Sequence, residues 1–213
     1  MSTMPSFGPE ASVASAATMT LSMESGAESP LPKPKRKPPR GRPSLFVAAM
    51  ECEGDLGNGL IVEAFDISRA LFVSSVSTNS CTAVGRYNET APEDKRIGPG
   101  DYIVAVGERT ELKEMRSLME DKAFELVVRR PHLFKVVVPK AGRPIGLGIM
   151  YLPDSAAITI KRIDKAGAAY AAGVDLIVGD RLVAVNGRSG SADALLAELR
   201  RSTSPELTVS RCG

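Results

Sequence analysis

From Ser44 onward the chain alternates apolar and polar residues in short runs. Residues 45–50, 60–65 and 70–76 each carry the two-residue period of a strand with one buried face. Residues 127–130 read as a closing strand and 133–138 as an opening one, with only Pro131 and His132 clearly between them. Next come an alternating stretch after Gly146-Leu147-Gly148-Ile149, a small-residue turn Ala171-Ala172-Gly173-Val174, and an apolar run within 178–187. A short helix over 192–199 and a strand over 206–211 complete the pattern.

Much of this pattern occurs twice. Ile97-Gly98-Pro99-Gly100-Asp101-Tyr102-Ile103-Val104-Ala105-Val106-Gly107 aligns with residues 176–186 at an offset of 79. Glu125-Leu126-Val127-Val128 aligns with Glu206-Leu207-Thr208-Val209 at an offset of 81, and Gly59-Leu60 returns as Gly146-Leu147. From that glycine to the Gly-Asp pair is 41 residues in the first copy and 33 in the second. The surplus falls around 87–96, a polar stretch expected to be a surface loop. Copies of about 80–90 residues are each large enough to fold, so the repeat predicts two tandem modules, 44–130 and 131–213, rather than a solenoid. A joint this short predicts restricted relative motion.

Residues 1–43 break the pattern and are expected to be disordered. The first thirty are small, polar and non-periodic, and 30–43 holds six prolines among lysines and arginines. That tract also carries the charge. Lys33, Lys35, Arg36, Lys37, Arg40 and Arg42 follow one another with no acid among them, and without residues 1–43 the chain is near neutral. A general nucleic-acid-binding fold is therefore not indicated. Three cysteines lack disulfide density and metal-ligand spacing, which reads as reduced thiols in a cytoplasmic or nuclear protein. No run reaches the roughly 18 apolar residues that span a bilayer, and the N-terminus lacks the features of a secretory signal.

Gly146-Leu147-Gly148-Ile149 stands after Lys140 and Arg143. It precedes, in order, the small-residue turn, Val178-Gly179-Asp180-Arg181-Leu182-Val183-Ala184-Val185-Asn186-Gly187, the short helix and the last strand. This train resembles a PDZ domain, with Gly-Leu-Gly-Ile in place of that family's carboxylate-binding Gly-Leu-Gly-Phe. Glycines let successive N–H groups point into one concavity, an anion-binding nest. The resemblance implies an α+β fold: two small, partly open β-barrels or sandwiches, each capped by two short helices, after the disordered arm. It also implies that a ligand tail adds as an antiparallel strand between the second strand and the second helix. Carried onto this sequence, the amides of Leu147, Gly148 and Ile149 receive the carboxylate. Leu147 and Ile149 line the pocket for the last ligand side chain, closed by Leu196 and Leu199, and Arg143 or Lys140 assists the anion. Ala192 takes the position that faces the ligand two residues before its end, which favours a small apolar contact over selection of Ser or Thr. The same four apolar residues also read as plain core. A β-branched residue at Gly148 is expected to distort the loop.

The first copy departs from this pattern. In its loop, Gly59-Leu60-Ile61-Val62, Ile61 replaces the second glycine, and Glu53 and Asp55 stand where a base would help. A β-branched residue restricts the loop and the acids repel a carboxylate. Glu111 would hold the selecting position, or complement the helix dipole beside a Thr110 cap, with Met115 and Leu118 below it. This copy reads as structural, or as a binder of internal motifs.

Pro39-Arg40-Gly41-Arg42-Pro43, after Lys35-Arg36-Lys37, resembles an AT-hook, which implies Arg40, Gly41 and Arg42 in the minor groove of A·T-rich DNA. The basic residues usual after the core are missing. Rival readings are a nuclear-import signal, a proline-rich ligand and a solvated linker. Nothing points to catalysis, a metal or a cofactor: the one histidine sits in the joint and no Gly-x-Ser-x-Gly elbow occurs. The leading function is a non-enzymatic adaptor or scaffold that binds protein C-termini or internal peptide motifs. The alternative is a nuclear, chromatin-associated factor anchored by the hook, and a third reading is a regulatory piece of a larger PDZ-bearing enzyme. Oligomeric state is not legible.

Overall fold

The computed structural model describes residues 45–52, 56–152 and 155–213. The arm expected over 1–43, with Arg40, Gly41 and Arg42, lies outside them, as do Glu53 and Asp55. The first module consists of β1 (Leu45–Glu51), β2 (Leu60–Glu63), β3 (Leu71–Val76), α1 (Ala83–Thr90), β4 (Tyr102–Val106), α2 (Leu112–Leu118) and β5 (Ala123–Arg129). The second repeats it as β6 (His132–Val137), β7 (Leu147–Met150), β8 (Ile158–Ile163), α3 (Ala168–Ala171), β9 (Arg181–Val185), α4 (Ala192–Arg201) and β10 (Glu206–Arg211). Each forms one five-stranded antiparallel sheet, in the orders β1-β5-β4-β3-β2 and β6-β10-β9-β8-β7. Two short helices accompany each sheet, and the architecture is PDZ-like in both copies.

Alternation became burial. Phe46, Ala48 and Met50 of β1 point into the core while Leu45 and Val47 stay exposed. The first core gathers Leu71, Val73, Ile103, Met115, Leu126 and Val128, and the second Ile158, Ile160, Leu182, Leu195, Leu207 and Val209. The Gly-Asp repeat is structural. Asp101 accepts from Gly98 N and Asp180 from Ile177 N, and each meets an arginine from the closing strand or just past it, Arg130 and Arg211 respectively. Phe46 and Phe134 lie beneath those two guanidiniums.

Three expectations shift. The loop foreseen at 87–96 is instead the second half of α1 and a single 3₁₀ turn, Glu93–Lys95. Asn88 pins its exit by exchanging hydrogen bonds with the backbone of Ile97, both 2.8 Å. The joint lies at Arg130 and Pro131, since His132 already pairs with Arg211 in the ladder. On α2, Glu111 is itself the N-cap and makes no side-chain cap bond, so Thr110 caps nothing and Leu112 is the first helical residue.

The modules also share a core that repetition of the pattern did not foretell. Ala70, Phe72 and Tyr102 of the first pack with Ala157 of the second, flanked by Val104, Val183 and Cys212. Equivalent strands of the two modules contribute to this contact. Phe72 pairs with Tyr102 in the first sheet as Thr159 pairs with Arg181 in the second. Each module therefore meets the other through the same face. Arg181 crosses the boundary to Glu63 at 2.7 Å, with both side chains buried, and lies 4.1 Å from the Phe72 ring.

Tyr102 donates across the boundary to the Ser210 carbonyl at 3.2 Å and accepts from the Ser210 hydroxyl at 3.0 Å. Burial, outweighing that hydroxyl contact, pushes its phenol from 10.0 up to about 12. The native state thus holds the proton more tightly than the unfolded chain. About 3 kcal/mol of stability is fully present below pH 10 and is lost as pH rises toward 12. The difference in unfolding free energy between the natural chain and Tyr102→Phe should fall by about that amount across this window, measured by denaturant titration. A pH-independent difference would contradict the assignment.

Candidate functional site

In the second module β7 is the last strand of its sheet, so one side of its backbone has no strand partner. The Asp164 amide donates to Gly146 O, and Leu147 is paired with Ile163. In an antiparallel ladder bonded and non-bonded pairs alternate, which turns the main chain of Gly148 toward β8 and that of Leu147 and Ile149 toward the open edge. Of the three amides expected to receive a carboxylate, Gly148's is therefore engaged in the sheet.

The glycine requirement falls on Gly146. Its φ is +74°, and an added Cβ would lie 2.4 Å from the Gly167 Cα, where the loop presses on the start of α3. Pro144 and Ile145 carbonyls accept from the Ala168 and Ala169 amides and fix that contact. Gly148 keeps an ordinary strand φ, and a Cβ there would meet Arg162, its Cβ at 3.1 Å, its Nε at 3.6 Å and its backbone N at 3.7 Å.

Leu147 and Ile149 are half-buried and pack on the second core together with Ala192, Leu196 and Leu199, which are buried. The half-exposed pair supplies the open apolar surface and α4 supplies the wall. At the far end, Tyr151 Oη donates to Asp193 Oδ1 at 3.3 Å, tying the residue after β7 to the first turn of α4. Lys140 does not face an anion: its ammonium donates to the Leu199 and Arg200 carbonyls and caps the C-terminus of α4. Arg143 is exposed on a turn through Ala141 and Gly142, and among the described residues it makes no ion pair.

The first module has the same backbone and a different occupant. Gly59 holds φ +76° against Thr82, and β2 is again the edge strand. Ile61 sits in β2 in register with Ser75 and points outward, 63% exposed, so it does not restrict the loop as its β-branching implied. Asn58 decides the chemistry instead. Its Oδ1 accepts from Leu60 N at 2.9 Å and its Nδ2 donates to Met119 O at 2.9 Å, past the end of α2. The amide that would greet a carboxylate already has an oxygen on it. The equivalent position in the second module is Ile145.

Aligning the N-caps Glu111 and Ser191 also corrects the helix register. Met115 is fully buried and matches Leu195 in the core, so it lines no groove, while Leu118 is half-buried. Arg116 and Met119 match Leu196 and Leu199. Of Gly59, Leu60, Ile61 and Val62, the half-buried Leu60 and Val62 pack on the first core. Among the described residues, no group of three or more His, Cys, Asp or Glu is placed to hold a metal, no helix is long and apolar enough to cross a membrane, and Cys52, Cys81 and Cys212 are free thiols.

No protein-family model matches the chain, and no curated protein matches it. Among solved structures, it is similar to INAD PDZ45 in complex with an NG2 peptide at 19% identity, covering 83% of this chain and 95% of that one, with a TM-score of 0.34. A second INAD PDZ45 structure, with NORPA CC-PBM, is 18% identical over 78% of this chain and 90% of that one, with a TM-score of 0.35. The Dlg1 PDZ2 domain of the choanoflagellate Monosiga brevicollis is 25% identical over 37% of this chain and 90% of its own, with a TM-score of 0.32.

Proposed function

We propose that the chain is a non-enzymatic adaptor whose second module captures free C-terminal carboxylates of partner proteins by strand addition to β7. One contrast carries this reading. The Leu60 amide is occupied by Asn58, whereas the Leu147 amide faces an open edge and Ile145 offers it no side-chain acceptor. Strand addition needs such an edge, an apolar pocket beside it and donors for the terminal charge. β7, the Leu147–Ile149 surface against α4, and the loop behind Arg143 supply them in that order. The first module, with its donor internally satisfied, serves as the platform on which the second is held.

Titrating the full chain with a hexapeptide ending in valine, as free acid and as amide, tests the reading by calorimetry. Amidation should weaken binding by at least about tenfold, since a charge-assisted hydrogen bond is lost. Equal affinity for both forms would sink it.

A further inference from the structure

We propose that the second module selects ligand tails with an acidic side chain at the penultimate residue, recognised by Arg162 with Lys161 beside it. This rests on the reading of β7 as a carboxylate-capturing edge and adds the chemistry of the partner. Side chains of an added strand alternate between its two faces. If the last one enters the pocket of Leu147 and Ile149, the one before it turns to the opposite face of β7, the face of Gly148.

That spot is bare of side chain and flanked by charge. Gly148 is in register with Arg162 on β8, and a Cβ at 148 would lie 3.1 Å from the Arg162 Cβ and 3.6 Å from its Nε. The arginine side chain therefore runs alongside the uncovered glycine, next to the open edge. The register shifts between Gly148 and Ile149, which leaves Lys161 as the extra residue on β8. Both cations are exposed, and among the described residues neither lies within ion-pair distance of a carboxylate.

The first module shows that the fold does not require this. Its strand bulges at the matching place, between Ile61 and Val62, but the residues there are Ser74 and Ser75, and Ser74 Oγ is spent on the Ile61 carbonyl at 3.0 Å. Ile61 covers the position that Gly148 leaves open. Charge follows the same division: residues 131–213 hold eleven Lys and Arg against seven Asp and Glu, whereas 44–130 hold ten against fifteen. Positive charge thus gathers in the second module, where no side chain like that of Asn58 sits on the edge-strand amide.

The test uses the full chain and three labelled free-acid hexapeptides ending in Glu-Val, Ala-Val and Lys-Val, followed by fluorescence anisotropy at low salt. The Glu peptide should bind about fivefold or more tighter than the Lys peptide, a ratio that falls as salt rises. Arg162→Gln should collapse this ratio, and Arg162→Glu should invert it. Ratios cancel any general weakening, so a partly impaired variant still reports. Carboxylate-dependent binding with no preference between Glu and Lys overturns this proposal alone. Failure of all three free-acid peptides to bind overturns the function proposed above, and this inference with it. Vesicles of phosphatidylserine in phosphatidylcholine form the remaining arm. Vesicle binding lost in Arg162→Gln, with peptide ratios unchanged, would assign these cations to a membrane and also overturn the proposal.

Discussion

Arg181→Ala is expected to destabilise the paired modules by about 3–5 kcal/mol, because it leaves the Glu63 carboxylate buried without its counter-charge. The guanidinium also sits over Phe72 at 4.1 Å and near Phe65 at 5.3 Å, contacts that alanine cannot replace. Its Nη2 lacks a hydrogen-bond partner among the described residues, so part of the cation's desolvation is uncompensated even in the native state. Replacing both partners, Arg181→Met with Glu63→Leu, should therefore cost less than half of the single change. The natural chain should unfold in one thermal transition, since the modules share the Phe72–Tyr102–Ala157 core, and Arg181→Ala should split that transition in two. Calorimetry decides. A loss below about 1 kcal/mol, or two transitions already in the natural chain, would mean that the shared face does not couple them.

Gly146→Val should cost about 3 kcal/mol or more and reduce peptide affinity by more than about tenfold. The residue would have to hold a φ of +74° and place a Cβ where the Gly167 backbone already stands, with no flexible side chain to move aside. Gly148→Ala should be far milder in denaturant unfolding, because only Arg162 need shift. A larger loss at Gly148 than at Gly146 would show that the second glycine, not the first, forms the loop.

Most strands and the two-module repeat were legible because period-two alternation survives in burial, as β1 shows residue by residue; the order of the strands in each sheet was not read. The loop glycines were legible as a pair, but not which of them carries the strain: that depends on the approach of Gly167, which is 21 residues away in sequence. The shared face was not visible: 70–76 read as a strand with one buried face, whereas Leu71, Phe72 and Val73 are all buried. Leu71-Phe72-Val73 and Ile158-Thr159-Ile160 are each buried at three consecutive positions, a run that signals a strand covered on both sides. What covers them could not be read, because Arg181 and Glu63 look like surface charges until the fold brings them within 2.7 Å. The role of Asn58 is hidden in the sequence for a related reason. Asn beside Gly is ordinary turn chemistry, and only the position of Met119 shows that its amide is held at both ends. A one-residue slip in the helix alignment, from Ser191 to Glu111, was enough to move Met115 from core to groove.

A terminal carboxylate is expected to dock on the edge of β7 and not on β2. The most direct measurement follows backbone amide resonances of the full chain during titration with the valine-ended hexapeptide, first as free acid and then as amide. The amides of Leu147 and Ile149 should shift with the free acid and hardly move with the amide, while Leu60, held by Asn58, stays still in both. Equal shifts with the two peptides, or shifts confined to Leu60 and Val62, would contradict it.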